Sequence, residues 1–262
     1  SKEAIAKSKA FKEKSLELSN LANQLKEANL KLIEKDKQKD EFLDTVAHEL
    51  KTPITGIRAT TELLLDDAEM PIEMKEQFLN NMLQDAERLS RLIHTILDFE
   101  KLSSEHHQLT KSTNDISKTI ARAIASLQTM AAKKNCAIIQ KSTYSVTINY
   151  DEDRMIQVFT NLIANAIKFV EPNEGFITIE YLFEDKQLKI TVTDNGKGIP
   201  EQDQQFIFDK FFQSKNQNTI KPIGTGLGLA ICKQIIDKHQ GAIWLDNSYK
   251  NGAKFHIKMP LN

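Results

Sequence analysis

The sequence predicts a multidomain fold, α-helical in its N-terminal part and α+β in its C-terminal part. Three observations carry this expectation. Residues 1–40 repeat apolar side chains every seven positions without Pro or Gly; residues 41–107 hold two amphipathic helical stripes joined by a short connector; and from about residue 112 helical stripes alternate with strand-like runs. The 262 residues suffice for more than one domain, and 40% apolar with 27% charged residues is an ordinary globular composition. A formal net charge of −1, with Lys and Glu interspersed, argues against a nucleic-acid partner, which needs a basic face. No stretch approaches the roughly 18 apolar residues of a membrane span, and no signal peptide opens the chain. The expectation is a cytoplasmic segment without membrane contact of its own. The first residue is Ser and not Met, so a further segment upstream, including a membrane anchor, is left open. Cys136 and Cys232 lack metal-ligand spacing and are expected as reduced packing residues.

Residues 1–40 come first. Phe11, Leu18, Leu25 and Leu32 recur in sevens, with Leu21 and Ala28 in the intermediate slots, which is the a/d pattern of a coiled coil. Leu43 follows Leu32 by eleven positions, a stutter where a supercoil locally unwinds. Lys35 and Lys39 fall on the seam, so a solvated single helix is the alternative to a parallel two-stranded coil running into the next helix.

Helical stripes over 41–66 and 73–103, joined by DDAEMPIEM, predict an antiparallel hairpin. A hairpin alone leaves half of each stripe uncovered, and pairing of two copies into a four-helix bundle would cover it. In the first helix Leu43, Val46, Ala47, Leu50, Ile54, Ile57, Thr61 and Leu64 share one stripe. The stripe keeps its phase through Pro53, which predicts a helix that is bent there but not ended. His48 falls opposite the stripe, and Thr52 lies one turn further along the same outer face.

Helices are expected at 115–133, 151–169 and 226–239, with strands in CAIIQKS, SVTINY, FITIEYLFE, QLKITVTDN, GAIWLDN and AKFHIKMP. Mostly antiparallel strands between helices predict a sandwich of one sheet and one helical layer. Two glycine-rich stretches, DNGKGIP (194–200) and GTGLGLA (224–230), lie here. Neither has the spacing of a Walker A loop or a dinucleotide-binding turn. The second runs into a helix, where backbone amides and the helix terminus suit a phosphate, with a purely structural turn as the alternative. In NLIANAIKF, Asn161, Asn165 and Lys168 recur on one helical face, a set that suits a magnesium-bound polyphosphate.

In order, HELKTP, NLIANAIKF, DNGKGIP, FDKFF and GTGLGL resemble the H, N, G1, F and G2 boxes of bacterial sensor histidine kinases of two-component systems. The resemblance spans residue 40 to the end. It implies a dimerisation and histidine-phosphotransfer domain at 41–107, and at 112–262 an α/β-sandwich ATP-binding domain of the kind shared with type II topoisomerases; the heptads make 1–40 a coiled-coil linker ahead of them. It further implies a homodimer that takes ATP and Mg²⁺, phosphorylates His48, and passes the group to an aspartate on the receiver domain of a response regulator.

By the same resemblance Glu49 acts as base or orients the ring, and Thr52 serves dephosphorylation of the regulator, unless it simply precedes Pro53 in a turn. Asn165 holds the metal, supported by Asn161, with Lys168 near the phosphates and Phe169 beside them. Asp194 accepts from the adenine amino group, and Gly196, Gly198 and Ile199 lie against the base. Lys210, Phe211, Lys215, Gly224, Thr225, Gly226, Leu227, Gly228 and Leu229 belong to a lid and its phosphate contacts. Two departures fall in that lid: Gln213 stands where the family often has Arg, and Ile223 where it often has Gly. A phosphatase-biased member and a catalytically inactive nucleotide-sensing scaffold are the competing readings.

Overall fold

The computed structural model describes residues 2–67, 69–104, 108–184, 186–214 and 225–260. These fall into two compact units, 1–86 and 87–262.

The first unit is dominated by α1 (Lys2–Asp66), a single helix that runs through Pro53 without a break. Leu18, Leu21, Leu25 and Leu32 are each more than 60% exposed, so nothing among the described residues covers these four leucines of the heptad seam. Helix α2 (Ile72–Ser103) begins after a short connector. The two helices approach at Gly56, where a Cβ would lie 2.6 Å from Asp85 Oδ2. Thr61 Oγ1, one turn further, reaches Met82 Sδ at 3.9 Å. Of the expected stripe on α1, Val46, Leu50, Ile57, Thr61 and Leu64 are half-buried, whereas Leu43, Ala47 and Ile54 are exposed. Leu79 and Leu83 on α2 are exposed too. A hairpin has one neighbour per helix and can cover only part of a wide apolar stripe.

The second unit carries the α+β part. A short strand β1 (Ser112–Asp115) leads into α3 (Ile116–Lys134), followed by β2 (Ala137–Gln140), β3 (Thr147–Tyr150) and α4 (Glu152–Phe169). Then come β4 (Phe176–Glu184), β5 (Gln187–Asp194), α5 (Gly228–Lys238), β6 (Ala242–Leu245) and β7 (Lys254–Pro260). Asp115 and Asp151 cap α3 and α4, each accepting a backbone N–H of the first turn.

Five strands form one sheet in the order β2-β4-β5-β7-β6, and β1 pairs with β3 separately. Only β2 and β4 run parallel in the sheet; the other pairings are antiparallel. Helix α4 lies between α3 and α5, and each of the three contacts the sheet. Alternation along β5 buries Leu188, Ile190, Val192 and Asp194, and β7 buries Phe255, Ile257 and Met259 in phase with it. An aspartate thus occupies the last inward position of an otherwise apolar strand.

Strand β1 was not foreseen: STND has neither β-branched density nor clean alternation, and it pairs because β3 offers a free edge. Helix α5 starts at Gly228, two residues later than expected, because Gly226 adopts φ +69°, outside the helical region. The cysteines are free; Cys232 is fully buried, and burial pushes its thiol up to about 12. No helix among the described residues is long and apolar enough to cross a membrane.

Candidate functional site

In the second unit, close backbone approaches that only glycine permits tie the C-terminal motifs together. A Cβ on Gly196 would lie 2.8 Å from the Phe169 carbonyl oxygen, so the turn after β5 packs directly on the end of α4. One on Gly226 would lie 2.6 Å from Phe211 Cα, which brings FDKFF against GTGLGL. Asn161 Nδ2 donates to the Gly228 carbonyl at 3.2 Å, joining α4 to the start of α5. Through these contacts Asn161, Phe169, Gly196, Phe211, Gly226 and Gly228 become one neighbourhood, although 67 residues separate its first and last members.

Asp194 is the buried polar group of this neighbourhood. It is 7% exposed, and its Oδ1 accepts the N–H of Gly196 at 2.8 Å and that of Ala253 at 3.0 Å. Burial pushes its carboxyl above the ordinary carboxylate value, opposed by those two bonds. A buried carboxylate held through one oxygen is suited to take a ligand's N–H on the other. Gly198, at φ +69°, and Gly252, at φ +139°, let two turns cross beside it; a Cβ on Gly252 would lie 2.0 Å from the Asp194 carbonyl oxygen. Gly252 and Ala253 were not foreseen as part of the site. Their only sequence signal is one glycine in a loop, which carries no information about its neighbours.

On α4, Asn165 is half-buried, and Lys168 lies with its ammonium 4.7 Å from the centre of the Phe169 ring. Burial lowers the Lys168 pKa. Ile199 and Thr225 are half-buried, Leu227 is buried and Leu229 half-buried, whereas Lys210 is exposed with its ammonium 4.9 Å from the Phe99 ring centre. Lys215, Ile223 and Gly224 lie outside the described residues.

A cavity of about 500 Å³ opens beside Asn161, Thr225 and Gly228, with Asp98 of α2 and Gln157 of α4 on its wall. Asp98 accepts from Arg154 Nη1 at 2.7 Å and from Gln157 Nε2 at 2.5 Å. This fork was also missed, since nothing in either segment marks its partner.

No group of three or more His, Cys, Asp or Glu side chains able to hold a metal occurs among the described residues. Carboxamides such as that of Asn165 suit only a hard cation that brings most of its ligands as water and phosphate, and Mg²⁺ bound to a polyphosphate is such a cation.

In the first unit His48 and Thr52 are both exposed on α1, as expected, and the Thr52 hydroxyl donates to the His48 carbonyl at 3.3 Å. Glu49 is half-buried and Pro53 is buried.

Residues 38–105 match the family described as the His Kinase A (phospho-acceptor) domain, and residues 150–262 match the histidine kinase-, DNA gyrase B- and HSP90-like ATPases. The chain is 34% identical over 229 residues to the sensor protein kinase WalK of Staphylococcus saprophyticus, covering 86% of this chain but only 37% of that relative. Among solved structures, histidine kinase ThkA in complex with response regulator protein TrrA aligns with a TM-score of 0.69 at 27% identity, over 85% of this chain and 61% of that one. Full-length ShkA in complex with AMPPNP aligns with a TM-score of 0.60 at 25% identity, over 84% of this chain and 46% of that one.

Proposed function

This chain belongs to the sensor histidine kinases, and on that premise we propose that it transfers the γ-phosphoryl group of ATP to His48 and then to an aspartate on the receiver domain of a response regulator. The observations that support the proposal are an exposed imidazole in HELKTP and, in the second unit, an N motif that meets the G1 turn beside buried Asp194 at one end and the G2 stretch, packed on the F motif, through Asn161.

The residues take these roles. Asp194 accepts from the adenine amino group through its second oxygen, and Gly196, Gly198 and Ile199 leave room for the base. Lys168, with the start of α5 at Gly228 and with Thr225, faces the phosphates, where backbone amides and the helix terminus favour negative charge. Asn165, aided by Asn161, would hold Mg²⁺, which would supply charge neutralisation at the phosphates. A nitrogen of neutral His48 attacks phosphorus, the bond to ADP breaks, and the imidazole proton passes to Glu49. Phosphoryl transfer asks mainly for positioning and charge neutralisation, and this residue set supplies both. The Thr52 hydroxyl, on the same outer face as His48, is placed to hold water for dephosphorylation of the regulator.

The proposed organisation is a coiled coil at 1–40, a phosphotransfer domain at 41–107 and an ATP-binding domain at 112–262. A second copy pairs along Leu18, Leu21, Leu25 and Leu32 and covers Leu43 and Ile54, which a lone hairpin leaves exposed. The whole polypeptide is proposed to act in the cytoplasm, including as the inner part of a membrane-anchored kinase.

The test is purified protein with Mg²⁺ and ATP labelled at the γ position. Acid-labile, base-stable label that disappears in His48→Ala supports the proposal. Label absent from the parent, while a proven kinase works beside it, refutes it. Label that persists in His48→Ala moves the acceptor elsewhere.

A further inference from the structure

Lys134, the last residue of α3, points its ammonium at the end of α4 and donates to the carbonyls of Ile167 at 2.9 Å, Lys168 at 2.7 Å and Val170 at 2.6 Å. An ammonium has three N–H donors, so all are used. The acceptors belong to the last turn of a helix, where carbonyls lack intrahelical partners and the helix terminus is partially negative. Coordination of this kind is stronger than an ordinary surface lysine contact, because charge assists every bond.

The carbonyl that Lys134 skips is Phe169. It accepts instead from Lys197 N at 3.4 Å and stands where a Gly196 Cβ would intrude, at 2.8 Å. Gly196 in turn donates to Asp194 at 2.8 Å. Lys134 therefore grips the chain on both sides of Phe169, and the carbonyl between is presented to the turn that carries Asp194. A second consequence follows from charge. Lys168 is the one basic residue in the last turn of α4 and would ordinarily complement the helix terminus. Lys134 takes that place at the carbonyls, and the Lys168 ammonium lies 4.7 Å from the centre of the Phe169 ring.

We infer that Lys134 is a positioning residue of the nucleotide site: it fixes the end of α4 so that Phe169 meets the Gly196 turn that carries Asp194. The inference rests on the nucleotide-site reading proposed above. It names a lysine outside the recurring motifs, 60 residues before Asp194 in the sequence.

The test uses the full chain, with Mg-ATP titrated calorimetrically and autophosphorylation rates measured against ATP concentration. Lys134→Met is expected to raise both Kd and KM by about tenfold or more, the equivalent of one lost charge-assisted contact. The rate at saturating ATP should stay within about threefold, since nothing that touches the reacting atoms is changed. Lys134→Arg, which keeps charge and donors, should recover part of the loss. Should Lys134→Met not fold, Lys134→Gln, which keeps two donors without charge, takes its place. Arg122→Met is the structural control, because it breaks the 2.7 Å Arg122–Glu152 pair at the opposite end of α4 and should leave Kd unaltered.

Unchanged affinity in Lys134→Met, fewer binding sites at unchanged affinity, or an equal loss in Arg122→Met would each overturn the inference. Asp194→Asn separates the two levels. If it loses ATP while Lys134→Met does not, only the role of Lys134 falls; if it binds ATP as the parent does, the nucleotide-site reading itself falls.

Discussion

Replacing Asp194 by Asn and by Ala separates what this carboxylate does for the fold from the contact proposed for it with the adenine base. Its Oδ1 accepts two buried backbone N–H groups, at 2.8 and 3.0 Å. An asparagine oxygen can accept the same two, so Asp194→Asn exchanges a charged acceptor for a neutral one and should cost at most about 2 kcal/mol of stability. Alanine leaves both donors without a partner, at about 1–3 kcal/mol each, for a total of about 2–6 kcal/mol. Binding reverses the resemblance between the variants. The carboxamide turns its NH₂ group toward the adenine amino group, donor against donor, and the lost charge-assisted bond is worth roughly 1.5–3 kcal/mol, or about 10- to 150-fold in Kd. Thermal unfolding and calorimetric titration with Mg-ATP read the two quantities independently. Equal stability of the two variants, or ATP binding by Asp194→Asn within about threefold of the parent, would refute the reasoning. The pH dependence gives a further check. Burial raises the Asp194 carboxyl above its ordinary value, so ATP affinity, if it takes the ionised form as proposed, should begin to fall above the usual carboxylate range on acidification. For stability the sign is opposite: the raised value favours the fold below the unfolded pKa, and that contribution is lost as pH rises through the folded one.

His239 should make the second unit sensitive to acid. It is 4% exposed, accepts from Asp151 N at 3.1 Å through Nε2 and bonds the Ile235 carbonyl at 2.8 Å through Nδ1, so a proton on Nε2 would set N–H against N–H. Burial lowers its pKa, with Lys111 lowering it further and Asp151 opposing. The stability this provides is present above the unfolded value of about 6.5 and is lost as pH falls through it toward the folded one, by up to about 1.4 kcal/mol per pH unit. Denaturant midpoints from pH 7.5 to 5 should therefore drop less steeply in His239→Gln, and equal slopes would contradict the assignment. Pro53 withholds an N–H from the Glu49 carbonyl just after His48, and Pro53→Ala restores it. If the bendable helix lets His48 serve both the ATP-binding domain and the regulator, autophosphorylation, phosphotransfer and phosphatase rates should shift relative to one another; three unchanged rates would remove that role.

How much was legible follows from the range of each interaction. Helix and strand identities could be read because periodicity is local: α1 runs on through Pro53 and β5 alternates as QLKITVTD predicts, whereas β4 buries Ile177, Thr178 and Ile179 in succession and leaves Leu182 and Phe183 exposed. The exposure of His48 and Thr52 was legible for the same reason, since one helical turn relates them. Gly196 and Gly226 could be picked out as glycines, but not what they make room for. The parallel pairing of β2 with β4 was hidden, because the residues of a strand do not encode the direction of its neighbour.

The sequence by itself determined the helices and all strands but β1, the outward face of His48, and the side chains proposed to hold a nucleotide. The tertiary structure decided the rest: that Asp194 is held by Gly196 and Ala253, that Asp98 is forked by Arg154 and Gln157, and that Lys134 grips the end of α4. Each of these is a polar contact, most of them between distant segments, whose strength depends on tenths of an ångström and on exclusion of water. Chain periodicity carries neither quantity; packing of α4 against the sheet and its neighbouring helices supplies both.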